Sequence, residues 1–86
     1  MSVFISLNVQ FYCVLNEKEI KLIKSVGQKI RERRNELSLS QEILSFDANI
    51  PKNQIGRIER GEINTSIATL YKISEALKID ITYFFI

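Results

Sequence analysis

Histidine and tryptophan are absent from this 86-residue chain, and cysteine and proline occur once each. Without an imidazole there is no unperturbed acid–base switch near neutral pH and no histidine ligand for a metal, and a lone Cys13 closes no internal disulfide. Nor is there a glycine-rich phosphate loop or a nucleophile beside a base, so an enzyme is not expected, and neither a cofactor, a metal nor a small-molecule ligand is implied. No apolar run approaches the ~18 residues of a membrane span, and the apolar N-terminus lacks the basic flank of a secretory signal. A reducing, cytoplasmic setting is the expectation, with one folded domain at most for this length.

Charge is present but unevenly spread. Residues 1–16 carry none, whereas residues 17–34 hold seven basic side chains (Lys18, Lys21, Lys24, Lys29, Arg31, Arg33, Arg34) against three acidic ones (Glu17, Glu19, Glu32). Later stretches are slightly acidic, and the whole chain is only +2. A polyanion partner and a solvated helix face both fit this distribution.

The hydrophobic period divides the chain in two. From Val3 to Leu15 every odd position is apolar, which predicts a β-strand-like segment with one buried face. No later segment shows the same alternation. The segment therefore pairs with its copy in a second chain or lies over an apolar groove, unless the alternation is accidental. Cys13 is one apolar position of this pattern.

From Glu17 onward the period is helical. Asn16 is an N-cap candidate for a helix to about Leu37 with the stripe Ile20, Ile23, Val26, Ile30 and Leu37. Ser40 opens a short helix to about Ala48 that buries Leu44 and Ala48. Asn49 tolerates the left-handed conformation of a tight turn, and Pro51 suits the start of a third helix, which ends before Gly61. Ser66 caps a fourth helix with the stripe Ile67, Leu70, Ile73 and Leu77, and a last helical turn starts near Asp80. Its Ile81, Tyr83, Phe84, Phe85 and Ile86 supply an apolar end for core or interface. The pair Gln41–Ala48 and Pro51–Arg60 across so short a turn has the spacing of a helix-turn-helix, whose second helix fits the DNA major groove.

Gly27-Gln28-Lys29-Ile30-Arg31-Glu32-Arg33-Arg34, Leu39-Ser40-Gln41-Glu42, Leu44, Ala48, Ile55, Ile58-Glu59-Arg60-Gly61, Ile67, Leu70 and Ala76-Leu77 together resemble the Cro/phage-repressor (XRE-type) helix-turn-helix family. The resemblance covers about residues 20–86. It implies an all-α, four- to five-helix lambda-repressor-like domain over residues 17–86; residues 1–16, a strand-like extension and a dimerisation arm by their alternation, lie outside the shared family core. It also implies a cytoplasmic, nucleoid-associated transcription regulator that binds double-stranded operator DNA as a homodimer. By the same resemblance Gln41 holds a phosphate and braces the recognition helix, and Arg34 and Glu59 form a partly buried ion pair. Lys52, Asn53 and Arg57, with Gln54 close by, fall where base edges are read, and their donors suit guanine or adenine edges. Ser40, Arg60 and Asn64 lie at the rim, where phosphate contacts are expected.

The departures from the family pattern carry expectations of their own. Ser45 stands for an alanine at a helix crossing, a small change. Gly56 within the recognition helix permits close approach to DNA or local adaptability. Lys78, in place of a glycine, extends the fourth helix a little. Ile43 and Phe46 sit at positions that are often polar, which leaves open a covering surface or isolated exposed apolar residues. The alternative function is a protein-interaction module such as an antitoxin or anti-regulator. On either reading, any control is expected to come from concentration, a partner protein or the dimer equilibrium, since no separate effector domain is expected.

Overall fold

The structure, a computed structural model, describes residues 15–86. The expected N-terminal strand lies outside the described residues except for its last position, Leu15. Four α-helices follow: α1 (Glu17–Glu36), α2 (Gln41–Ala48), α3 (Lys52–Glu59) and α4 (Ile67–Ala76), then a terminal 3-10 helix, Ile81–Phe85. The described residues contain no strand.

Side-chain caps set where these helices start. Asn16 Oδ1 accepts from the Glu19 amide at 2.8 Å while Glu19 Oε1 accepts from the Asn16 amide at 3.0 Å, a reciprocal capping box. The Ser40 hydroxyl accepts from the Ile43 amide, the Ser66 hydroxyl from the Thr69 amide, and Asp80 from the Thr82 amide. Each cap satisfies a donor that the helix itself leaves unpaired. Pro51 opens α3 without a side-chain cap; its carbonyl accepts from Gln54 and Ile55. At the other ends, Ser38, Asn49, Gly61 and Lys78 all take positive φ, between 57° and 71°. Lys78 thus reverses the chain and does not extend α4: its φ of 59° lets the Ile79 amide reach back to the Ser74 carbonyl at 3.1 Å.

The core gathers Ile30, Leu44, Ile55, Ile73, Leu77 and Phe84, all fully buried, with Val26, Ala48, Ile50, Ile58 and Leu70 around them. α2 packs on α3 and α4, α1 packs on α3, and the 3-10 helix closes the bundle against α1 and α4. Of the expected α1 stripe only Val26 and Ile30 are buried; Ile20, Ile23 and Leu37 are partly exposed. A 20-residue helix is about 30 Å long, roughly twice the length of its partners, so its N-terminal end overhangs the bundle, while Leu37, just past its C-terminal end, packs at the edge of the core. Ile67, expected inside, is 75% exposed because it occupies the first position of α4, at the edge of the core. The apolar terminus splits: Phe84 enters the core, while Phe85 and Ile86 remain exposed. Ser45 is accommodated at its buried crossing because its hydroxyl donates to the Glu42 carbonyl at 2.7 Å.

Candidate nucleic-acid interface

α2 and α3 are joined by Asn49 and Ile50. Asn49 adopts φ 58°, ψ 47°, and the Ile50 amide donates to the Ser45 carbonyl at 3.0 Å, so the chain turns within two residues. Ile50 is buried in the elbow, where it fixes the crossing of the two helices.

Glu59, at the end of α3, ties this unit to α1. Its side chain is wholly buried, and Arg34 grips it with Nε at 2.6 Å from Oε2 and Nη2 at 3.0 Å from Oε1. Gln41 Nε2 donates to the same Oε1 at 3.0 Å, and the half-exposed Arg31 adds a contact at 3.4 Å. Burial alone would raise the Glu59 carboxyl, but the hydrogen bonds from Arg34, Gln41 and Arg31 and the charge of Arg34 outweigh it and hold it below its ordinary range. The Arg34 guanidinium is correspondingly raised, chiefly by its hydrogen bond to Glu59, and Nη1 donates onward to the Leu39 carbonyl at 2.9 Å. One carboxylate thus locks α1, the start of α2 and the end of α3 together.

The opposite face of α3 is left to solvent. Ile55, Ile58 and Glu59 point inward, while Lys52 and Asn53 are exposed and Gln54 and Arg57 partly so. Asn53, Arg57 and Arg60 follow one another at helical spacing on this outer side. Gly56 is buried and faces α2: a methyl group there would meet Arg60 Nη1 at 3.1 Å and Gln41 Oε1 at 3.5 Å. Its bare backbone lies beside these two side chains, with only the tip of Arg60 closer than ordinary van der Waals contact. Gln41, the residue after the Ser40 cap, and Arg60 consequently both lie beside Gly56.

Asn64 is placed elsewhere. It lines an apolar groove of about 240 Å³ with Leu22, Ile23, Ile67 and Phe85. Ile43 is half-exposed and Phe46 is 85% exposed on the outer side of α2.

Three side chains with structural or electrostatic roles escaped sequence reasoning. Arg33 Nε donates to the Leu77 carbonyl at 3.1 Å and so tethers α1 to the end of α4. Arg31 joins the Glu59 cluster; its place three residues before Arg34, on the same helix face, was the available signal. Glu62 receives Arg60 Nε at 2.7 Å and lies 3.9 Å from Arg57 Nε. The Arg60 hydrogen bond holds the Glu62 carboxyl below its usual range and raises the Arg60 guanidinium in turn. The signal for Glu62 was Gly61: its left-handed turn brings the Glu62 amide back onto the Arg57 carbonyl at 2.9 Å.

Comparison with known proteins places this geometry. A family model described as helix-turn-helix matches residues 30–84. An uncharacterized transcriptional regulator in the ATPase CF(0) region of Rhodospirillum rubrum is 43% identical over 60 residues, covering 70% of this chain and 56% of that protein. The control protein C.BamHI of Bacillus amyloliquefaciens is 41% identical over 54 residues, 62% of this chain and 67% of that protein. The crystal structure of the restriction-modification controller protein C.AhdI from Aeromonas hydrophila superposes with a TM-score of 0.71 at 34% identity, covering 74% of this chain and 96% of that one. The chain thus spans little more than half the length of the first of these relatives.

Proposed function

Since the chain belongs to the helix-turn-helix family, we propose that it is a sequence-specific DNA-binding transcription regulator that sits on operator DNA as a homodimer. Residues 17–86 form its DNA-binding domain, with α3 in the major groove. The observation that carries this reading is the rigid α2–α3 unit, locked from behind by Glu59 and presenting Lys52, Asn53 and Arg57 outward. Arg57 and Lys52 offer donors to guanine O6 and N7, Asn53 and Gln54 suit adenine N6 and N7, and each good pair discriminates by about 1–3 kcal/mol. Ser40, Gln41 and Arg60 meet phosphates at the edge, and Asn64 is the rim residue set apart from this edge, in the groove beside Leu22 and Ile67.

For the homodimer the supporting observation is the apolar surface of Leu22, Ile67 and Phe85, with Tyr71 one turn from Ile67 on α4. Two recognition helices in a symmetric pair reach successive major grooves about 34 Å apart. Residues 1–16 are an extension that adds to this pairing. No helix of the described residues is long and apolar enough to cross a membrane.

Binding of single-base variants of a selected operator tests the assignment of Arg57. Arg57→Ala relaxes the preference at one position of each half-site; a uniform loss across all variants contradicts base reading by this residue. The exposed Phe46 and Ile43 favour a second reading, a protein-interaction module of the antitoxin or anti-regulator kind. A chain that enriches no sequence at low salt, yet loses a bound protein on Phe46→Ser, would favour that reading.

A further inference from the structure

Resting on the DNA-binding reading above, we infer that Glu62 is a specificity-determining residue. Its carboxylate, anchored by Nε and Nη2 of Arg60, holds Arg57 back from indiscriminate phosphate contacts and gives it up where a base edge repays the exchange. The geometry is asymmetric in the way this role requires. Arg60 is held by two contacts, Nε to Oε2 at 2.7 Å and Nη2 to Oε1 at 3.3 Å, whereas Arg57 is held by one, at 3.9 Å. Arg57 is therefore the guanidinium released at lower cost. Glu62 is itself well placed, since its amide is fixed to the Arg57 carbonyl at 2.9 Å through the Gly61 turn. Arginine and carboxylate are thus fastened to the same end of α3 and move with it.

The chemistry separates cognate from random DNA. On a random duplex, Arg57 gives up Glu62 for a phosphate oxygen, and the nearby carboxylate is repelled by the same phosphates. On the cognate site it gives up Glu62 for the paired O6 and N7 acceptors of a guanine, which match the guanidinium fork. The carboxylate thus weakens both complexes, and weakens the random one more. Glu59 does not fill this role, because its two oxygens are already committed to Arg34, Gln41 and Arg31.

The test uses the full chain, the duplex most enriched from a random library, and a shuffled duplex of the same composition, titrated at one fixed salt concentration. Glu62→Gln keeps the side-chain shape and removes the charge. The expected result is affinity for the shuffled duplex raised about 3–10-fold and affinity for the selected duplex raised less than about twofold, so that the ratio narrows. Glu62→Asp, which keeps the charge, retains most of the wild-type ratio. Equal gains on both duplexes mean simple repulsion and overturn the inference alone; so does weakened binding to the selected duplex with the shuffled one unchanged. A wild-type chain that selects no sequence overturns the regulator reading and this inference with it.

Discussion

Glu59 shows how much of the fold depends on a single side chain. A wholly buried carboxylate survives there because three donors surround it, and removal of Arg34 strands it with the weaker pair, Gln41 and Arg31. Arg34→Ala is expected to cost about 3 kcal/mol in denaturant unfolding. The pH dependence has a definite sign. The folded-state carboxyl titrates below its ordinary range, so its contribution is fully present above that range and is lost in acid, as pH falls from the ordinary carboxylate range through the depressed folded-state value. In Glu59→Gln this share of the acid sensitivity disappears, which a series of thermal midpoints from neutral to acid pH would measure. The glycines separate in the same residue-level terms. At Gly27 a methyl group would run into the backbone carbonyls of Ile58 and Glu59, where α1 and α3 touch, so Gly27→Ala is expected to destabilise by about 3 kcal/mol. At Gly56 the obstacle is the mobile tip of an exposed arginine, and Gly56→Ala should instead stabilise the helix by about 1 kcal/mol.

At the scale of elements, what could be read in advance was local. The caps Asn16, Ser40, Ser66 and Asp80 act through their own neighbours within three residues, and the left-handed Asn49 is a property of one side chain at one turn. The places where reading failed needed knowledge of what lies across space. Ile67 fits the α4 stripe but falls at the helix end, where nothing among the described residues covers it. Gly56 could not be understood without Gln41 arriving from α2, nor Glu62 without the reversal at Gly61. Lys78 was misread because a lysine favours helix, whereas the Ile79–Ser74 hydrogen bond and the burial of Phe84 require the chain to turn at that residue. Its left-handed backbone suits glycine better, so Lys78→Gly should stabilise the domain by about 1 kcal/mol, which for this size raises the melting temperature by about 4–8 °C. An unchanged or lowered midpoint would contradict that account of the α4 terminus. In the candidate site, the family resemblance singled out Lys52, Asn53 and Arg57, and helical spacing is enough to put Asn53 and Arg57 on one outer side of α3. The placement of Asn64 was not, since a loop carries no such period.

The described residues bring a locked helix-turn-helix unit and an apolar flank into one small body. α3 is braced from behind by Glu59, flanked at its end by Glu62, and exposed along the side that bears Lys52, Asn53 and Arg57. The flank of Leu22, Ile67, Tyr71 and Phe85 draws on α1, α4 and the 3-10 helix and on no residue of α3, so the proposed pairing through it leaves the outer side of α3 uncovered. Ile67→Ser is expected to shift the monomer–dimer equilibrium toward monomer in sedimentation equilibrium while the unfolding midpoint of the monomer stays nearly constant, because Ile67 contributes little to the core. Dimer dissociation unchanged by this substitution would move the interface elsewhere. The central claim, that this surface reads DNA sequence as a symmetric pair, is tested most directly by selecting binding sites from random duplex DNA with the intact chain. The account predicts an enriched palindrome whose half-site centres lie about 10 base pairs apart; a pool that stays random at low salt would contradict it.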